Sequence, residues 1–327
     1  MSRPRGPAYS CPVPLPRASA TLVRRLAVAS VVANSAIVVT GGAVRLTDSG
    51  LGCPTWPRCT DGSYTPTAEY TEHGVIEFGN RMLTVVLGLV ALATLLAVLS
   101  HRRKALVPLA VVAFLGIPAQ AVLGGITVLT GLNPWTVAGH FLLSMALVAV
   151  TVTLAWRAAR PADGPGRDLL GREQTWLVRA VVGVTAVVLV LGTVVTGSGP
   201  HAGDAEAART GFDPATLSQL HADAVMLLVG LTVALVLWLR GAHAPAPVLR
   251  AAAVLLAVEL GQGLVGFVQY FTGLPVVLVG AHLLGACLVW IAAVRLLLAT
   301  TERAPAVQPR PAAPATPGSP VLASGPR

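Results

Sequence analysis

Long apolar runs recur along the chain, and each has about the length of a membrane-crossing helix. The hydrocarbon core of a bilayer is about 30 Å thick, which a helix crosses with roughly 20 apolar residues. Eight runs reach that length, so the pattern predicts an all-α membrane protein with eight transmembrane helices. The predicted spans are residues 24–44, 75–99, 106–129, 136–157, 177–197, 216–239, 249–271 and 277–299.

Composition and charge agree with this pattern. The 327-residue chain is 54% hydrophobic and only 11% charged, whereas a soluble domain carries about 25% charged residues. So few charges cannot cover a water-facing surface, which excludes an ordinary soluble protein. The net charge of +9 reflects topology, because 19 of the 23 Lys and Arg residues lie in the N-terminus, alternate loops and the C-terminal tail. The positive-inside rule predicts that both termini are cytoplasmic, and we expect no nucleic-acid partner.

The chain also contains a tandem repeat. Residues 120–140 and 262–282 share Gln, Thr-Gly-Leu and His at a constant offset of 142, and residues 38–45 and 194–201 both begin with VVTG. Four spans return the chain to its starting side, so the repeat predicts two pseudo-symmetric four-helix bundles in the same orientation. The predicted organisation is a disordered cytoplasmic N-terminus at 1–23, a first half at 24–157, a basic cytoplasmic linker at 158–176, a second half at 177–299 and a disordered Pro/Ala-rich tail at 300–327.

Histidines occupy matched positions in this repeat. His221 and His282 lie near the starts of the sixth and eighth predicted spans, and His140 matches His282. The first-half position that matches His221 is Asn80. Haem iron accepts one imidazole on each axial face, so paired histidines at equal depth favour a haem held between helices. The alternatives are a hydrogen bond between helices and, less favoured, a zinc site, because no cysteine or carboxylate completes a tetrahedral set beside them.

A carboxylate marks the start of the second predicted span. Glu77 lies three residues before Asn80 and therefore shares a helix face with it. Carboxylates in membrane helices are costly and usually functional, and the alternative here is a simple ion pair with Arg81 one turn later. His73 lies one turn before Glu77 and is a further candidate for the first-half site.

A second carboxylate, Glu259, lies near the middle of the seventh predicted span. Its repeat partner is Ile117, so the carboxylate does not belong to the duplicated pattern. We expect Glu259 to make a hydrogen bond between helices or to be protonated.

Two cysteines, Cys53 and Cys59, lie in the loop between the first two spans, on the side predicted to face the oxidising exterior. A disulfide is expected in that environment. Its role is either that of a redox-active pair or that of a structural staple for a long loop.

Five segments, in this order, carry a resemblance to a known family: GGAVRLTDSGLGCPTWPRC, VIEFGNRML, VLGGITVLTGLNPWTVAGH, VVTGSGPHAGD and QLHAD. Together they resemble haem A synthase in its bacterial form, over nearly all of residues 24–299. The resemblance implies an oxidoreductase of the bacterial plasma membrane that oxidises the C8 methyl group of haem O to a formyl group by successive hydroxylations. The product, haem A, supplies aa3-type cytochrome oxidases.

The resemblance also implies roles for particular residues. The second half is expected to hold a haem b cofactor through His221 and His282, and the first half to bind haem O with His140 as an iron ligand. Glu77 matches the family's essential carboxylate, and the loop cysteines match a pair found in many bacterial members. The expected partners are haem O, haem A, haem O synthase, membrane lipid, an electron acceptor and a second copy of the chain.

This chain departs from the family pattern at Asn80, where the family has histidine. The departure matters because an amide is a poor iron ligand. Three accounts follow: His140 alone binds the iron and leaves one face open, His73 reaches in from two turns away, or the first half has lost activity. We favour the first, because Glu77, His140 and the cysteine pair are all present. Asn80, His73 and Arg81 stay secondary candidates for the substrate-haem site.

A different class of function, a non-enzymatic b-type membrane cytochrome for electron transfer, also fits the paired histidines. A transporter built on repeats fits less well, because it predicts broken helices near the midplane, whereas the polar residues here lie near the helix mouths. The haem types in the purified protein distinguish the enzyme from the cytochrome.

Overall fold

The computed structural model describes residues 17–67, 71–101, 103–160 and 163–304. Within them it has eight long helices, each long and apolar enough to cross a membrane, so the predicted all-α, eight-span fold is confirmed. The helices are α1 (Ala20–Leu46), α2 (Thr71–His101), α3 (Val107–Leu129), α4 (Pro134–Ala158), α5 (Arg172–Ser198), α6 (Pro214–Gly241), α7 (Ala246–Phe271) and α8 (Val276–Ala299).

Capping residues explain where several helices begin. The side chains of Ser19, Asn133 and Asp213 each accept a hydrogen bond from a backbone N–H in the first turn of α1, α4 and α6. Because Ser19 caps α1, that helix begins at Ala20, four residues before the predicted span. The helix α5 begins at Arg172, five residues before its predicted span and inside the predicted linker.

The repeated Thr-Gly-Leu segments form matching turns between α3 and α4 and between α7 and α8. In both turns the glycine and the leucine adopt positive φ: 61° for Gly131, 57° for Leu132, 78° for Gly273 and 60° for Leu274. Glycine adopts this conformation without the steric penalty that a Cβ brings. The duplicated sequence therefore reproduces a backbone geometry as well as a pattern of residue types.

The helices pack in the same order in each half. In the first half, α1 packs on α2 and α4, and α3 packs on the same two helices. In the second half, α5 packs on α6 and α8, and α7 packs on the same two helices. As a result, α2 and α4 stand at opposite corners of one four-helix group, and α6 and α8 stand at opposite corners of the other. Side chains from such a pair of helices face each other across the interior.

The two halves meet along α4 and α8. The indole Nε1 of Trp290 on α8 donates a hydrogen bond to the Met145 carbonyl oxygen on α4, at 2.8 Å. At the end that carries the loop 47–67, here called the disulfide end, Arg45 of the first half donates to the carbonyl oxygens of His201 and Thr196 in the second. Arg45 and His201 are repeat-related by sequence, so the halves contact each other through equivalent positions.

A short two-stranded antiparallel sheet lies at the opposite end, here called the basic end. The strand β1 (Gly166–Asp168) of the linker pairs with β2 (Thr301–Arg303), which follows α8. These strands depart from the predicted disordered tail, whose residues 305–327 lie outside the described residues, as do residues 1–16 of the predicted N-terminus. Arg103 donates to Asp163 at 2.5 Å, and this hydrogen bond holds the pKa of Asp163 below its usual value. The cytoplasmic location of this end remains a prediction.

Candidate functional site

Each of the three membrane histidines lies with its ring against a glycine. A methyl group added at each glycine would lie closer to the histidine Cε1 than ordinary packing allows. The distance from the added carbon to Cε1 would be 3.1 Å for Gly124 and His140, 3.3 Å for Gly192 and His221, and 3.2 Å for Gly266 and His282. In every case the glycine and the histidine lie on neighbouring helices. The glycine thus provides a seat in which the imidazole lies close to the backbone of the next helix.

The ring nitrogens of these histidines lack the partners that buried polar atoms normally have. The buried Nδ1 atoms of His140, His221 and His282 have no hydrogen-bond partner among the described residues. Leaving a buried polar atom unpaired costs about 1–3 kcal/mol. Such rings fit residues whose partner is not part of the polypeptide. Haem iron, which takes an imidazole nitrogen on an axial face, is a partner of that kind.

His221 and His282 project from opposite corners of the second half. His221 is the eighth residue of α6 and His282 the seventh residue of α8, so both lie toward the same end of the helix group. A porphyrin between the helices of a bundle takes one ligand from each of two facing helices. The donor set of the second half therefore fits a haem with two axial imidazoles.

A repeated glutamine fixes the helix that carries the ligand candidate in each half. The side-chain Nε2 of Gln262 on α7 donates to the His282 carbonyl oxygen at 2.8 Å. The side-chain Nε2 of Gln120 on α3 donates to the His140 carbonyl oxygen at 3.1 Å and to the Ser144 hydroxyl at 2.5 Å. The glutamine that the repeat preserves thus ties α3 to α4, and α7 to α8, at the level of the histidine backbone.

Asn80 does not occupy a seat of the same kind. The Thr40 hydroxyl of α1 donates to Asn80 Oδ1 at 2.8 Å. A methyl on Gly41, the next residue of α1, would lie 3.8 Å from Asn80 Nδ2. The Asn80 side-chain amide therefore contacts the last turns of α1, toward the disulfide end.

Both oxygens of the Glu77 carboxylate accept hydrogen bonds. Arg81 donates to Oε1 at 2.6 Å, which makes the predicted i,i+4 ion pair. The backbone N–H of Cys53 donates to Oε2 at 2.7 Å. Glu77 is buried. The ion pair alone is thus an incomplete account, because the carboxylate also binds the loop 47–67.

Arg81 holds the same loop through its backbone. Its guanidinium donates to the carbonyl oxygens of Cys53, Thr55 and Arg58, at 3.0 to 3.2 Å. Arginine suits this position because its planar group carries five donors in a fixed arrangement. With these bonds and that to Glu77, Arg81 holds the loop 47–67, and its contact with a substrate haem stays a prediction.

The loop 47–67 packs across the mouth of the first half. Cys53 and Cys59 form the expected disulfide within it. A methyl on Gly52 would lie 2.3 Å from the His73 carbonyl oxygen, and a methyl on Gly125 would lie 2.4 Å from the Trp56 ring. Since Gly125 follows the glycine that seats His140, the loop reaches from the Glu77 carboxylate to the helix beside the His140 ring.

His73 is directed toward the loop and away from the other candidates. Its Nδ1 lies 2.9 Å from the Ser49 hydroxyl, and its side chain is exposed. The structure thus brings Glu77, Arg81 and the disulfide together and places His73 at the edge of that group.

Several residues of these sites escaped the sequence-based prediction. The seat glycines and Thr40 were not singled out, although Gly124 and Gly266 stand at the repeat offset of 142. Each lies four residues after the repeated glutamine. That shared spacing was the available signal, but only the packing of neighbouring helices gives the glycines a role.

Comparison with known proteins adds to this geometry. The family model COX15-CtaA, described as a cytochrome oxidase assembly protein, matches residues 24–206. The chain belongs to this family. The match covers all of the first half, the linker and the beginning of the second half, including the loop 47–67 and the positions of Glu77, Asn80 and His140.

Several curated relatives carry the name "Heme A synthase". The chain is 32% identical to the "Heme A synthase" of Lysinibacillus sphaericus over 179 residues, which are 52% of this chain and 56% of the relative. It is 36% identical to the "Heme A synthase" of Listeria monocytogenes over 123 residues, 36% of this chain and 40% of the relative. The chain thus spans about half the length of the curated relatives that it matches. Its eight apolar helices and bacterial relatives identify a multi-pass bacterial membrane protein.

Proposed function

We propose that the chain is a haem A synthase that oxidises the C8 methyl group of haem O to a formyl group. The observation that carries this proposal is the arrangement at the mouth of the first half. There the loop 47–67 connects the buried Glu77 carboxylate with α3 at the residue next to the His140 seat. The family match and the names of the relatives support the same activity.

In this proposal the halves take different roles. His140 would bind the iron of haem O as substrate, and His221 and His282 would hold a haem b cofactor, which would supply single-electron transfer when bound. The overall change adds one water to the methyl carbon and releases four protons and four electrons to give the formyl group. Haem O synthase as the source of the substrate, a separate electron acceptor and self-association belong to the proposal as well.

Glu77 acts as the base in this scheme. A carboxylate beside a carbon that is losing electrons stabilises the developing positive charge and accepts a proton from attacking water. The Cys53 N–H and the Arg81 guanidinium fix both carboxylate oxygens, so the group is already oriented before substrate arrives. Arg81 and the disulfide loop serve as positioning elements, because they contact Glu77.

The test is Glu77→Gln in a host that makes haem O but has no haem A synthase of its own. We expect haem O to accumulate and haem A to disappear from extracted pigments, because the amide cannot accept the proton. Glu72→Gln is the matched control, since Glu72 is exposed in the first turn of the same helix, and it should make haem A normally. Normal haem A in the Glu77 variant would remove Glu77 from the chemistry.

The same extraction tests the activity itself. A b-type electron-transfer cytochrome, the alternative, would yield haem b alone from the wild-type protein. An enzyme yields haem A, together with bound haem O when turnover is blocked. Absence of haem A from host cells that express the wild-type protein would therefore contradict the proposed function.

A further inference from the structure

In the second half, the His221 ring packs against a seat glycine. The first half has neither the histidine nor the glycine at the equivalent positions. His221 lies against Gly192 of α5. The VVTG segments relate α1 to α5 by an offset of 156, which places Ala36 where α5 has Gly192. Asn80 stands where α6 has His221. Ligand and seat are thus replaced together, and Ala36 carries the methyl group whose counterpart at Gly192 would crowd the imidazole.

The Asn80 side chain also lies at a different level. It contacts Thr40 and Gly41, whose repeat equivalents in α5 are Thr196 and Gly197. These lie four and five residues beyond Gly192, which is about 6–7.5 Å along a helix that rises 1.5 Å per residue. The amide is therefore turned toward the disulfide end, roughly one helical turn away from the level at which the His221 ring lies.

The polar side chains next to Asn80 along α2 already have partners. Glu77 and Arg81 bind each other and the loop. His73 pairs with Ser49, and the Thr84 hydroxyl donates to the Asn80 carbonyl oxygen. None of these side chains is directed toward the place that corresponds to the His221 ring.

We propose that the first half is built to leave one axial face of its substrate haem iron open, opposite His140. Thr40 holds the Asn80 amide away from the ligand level, and the Ala36 methyl occupies the place against which an imidazole would lie. This inference rests on the proposed function, since it takes the first half as the site of the substrate haem. It assigns the departure at Asn80 to a difference in coordination and not to a lost activity.

The decisive measurement is the spin state of the first-half haem in the purified full-length protein. The protein is isolated from a host that makes haem O, and the first-half signal is the one that His140→Ala removes. We expect a high-spin optical and electron paramagnetic resonance signal, and binding of carbon monoxide after reduction. A low-spin first-half haem that resists carbon monoxide would overturn the proposal and leave the proposed function standing.

Substitution can then build the missing ligand. Asn80→His combined with Ala36→Gly restores the ligand and its seat, so we expect a low-spin first-half haem and carbon monoxide binding weakened by about tenfold or more. Asn80→His alone should convert only part of the population, because the Ala36 methyl crowds the ring. Ala36→Gly alone, the matched control, should stay high-spin.

Two outcomes separate this inference from the function beneath it. If extracts contain haem b alone and His140→Ala leaves the spectrum unchanged, the first half holds no haem, and both proposals fail together. If Asn80→His alone gives as complete a low-spin conversion as the double variant, the role given to Ala36 is wrong. The wild-type spectrum decides the open face even if neither histidine variant folds.

Discussion

In the second half, a buried carboxylate lies inside the helix group, whereas in the first half the buried carboxylate lies at the disulfide end. His221 and His282 lie on α6 and α8, at opposite corners of the group, and Glu259 accepts a hydrogen bond from Thr232 between α6 and α7, at 3.0 Å. In the first half, Glu77 instead binds the loop 47–67. One scaffold thus carries an internal pair of ligand candidates in one copy and a carboxylate at its mouth in the other.

The interior positions confirm this division. The repeat equivalents of Thr232 and Glu259 are Ala91 and Ile117, which belong to the same buried apolar cluster of the first half. The polar pair of the second half is therefore an apolar pair in the first, at the same place between two helices. The halves differ in where they place a buried carboxylate, while they keep the helix packing, the Thr-Gly-Leu turns and the glutamine that binds the histidine carbonyl.

The largest expected effect comes from giving the second half the first-half residue. We predict that His221→Asn removes one of two axial ligands, so the low-spin haem b signal is lost and the reduced protein binds carbon monoxide. His282→Ala combined with His221→Asn should release the haem b altogether, because neither axial ligand is left. Reduced-minus-oxidised spectra of the purified variants measure both.

The matched control for these variants is Asn80→Ala, which should leave the haem b spectrum intact. If His221→Asn kept a low-spin haem b, another side chain would have to be the second ligand. The assignment of His221 as an axial ligand of haem b would then be wrong. The proposed contrast, with two protein ligands in the second half and one in the first, would then be wrong as well.

The sequence predicted the scaffold well because each part of it rests on a local rule. Apolar runs of sufficient length set the number of helices, and capping residues such as Ser19 and Asp213 move their starts by a few residues. The pairing of β1 with β2 was missed, because it joins three-residue strands that lie far apart in the chain and carry no periodic pattern. Orientation in the membrane stays a prediction.

The candidate site was predictable in its residue types and less so in their contacts. The spacing of Glu77 and Arg81 predicted their ion pair, which the structure confirms. The bonds from Arg81 to three loop carbonyl oxygens were not predictable, because a loop with no period gives no register for its backbone groups. The same holds for Thr40 and Asn80, whose contact depends on how α1 and α2 pack.

We expect an intermediate effect from loosening the loop 47–67. In the second half, the position equivalent to Arg81 carries no guanidinium that could hold a loop in this way. The position equivalent to Arg81 is Ala222, so only the first half has the guanidinium. We predict that Arg81→Lys loosens the loop 47–67, because an ammonium cannot bind three carbonyl groups and Glu77 together. Loss of about 1–2 kcal/mol of hydrogen bonding raises the rate at which a phosphine reduces the Cys53–Cys59 disulfide by roughly 5- to 30-fold.

Alkylation and mass spectrometry after timed reduction measure that rate. Arg58→Lys is the matched control, because Arg58 lies in the same loop. Among the described residues its side chain donates to the Asp61 carbonyl oxygen alone, and it lies over the Tyr64 ring. Equal rates in the wild type and in both variants would show that Arg81 does not hold the loop, and the positioning of Glu77 would then need another cause.

The smallest expected effect comes from replacing Thr232 and Glu259, the interior pair of the second half, with the alanine and isoleucine of the first half. Thr232→Ala alone removes the hydrogen bond to Glu259 Oε1, and Oε2 already has no partner among the described residues. We expect a loss of about 1–3 kcal/mol in stability, because the buried carboxyl is then unpaired.

Thr232→Ala with Glu259→Ile recreates the Ala–Ile pair of the first half and should recover most of that loss, since removing both polar partners leaves no group unpaired. Thermal unfolding in detergent, followed by helix content, compares the wild type with the two variants, and the haem b spectrum provides a second readout. If the double variant is stable but its haem b spectrum is altered, Glu259 serves the cofactor site; if the spectrum is unchanged, the pair is a structural difference between two copies of one fold.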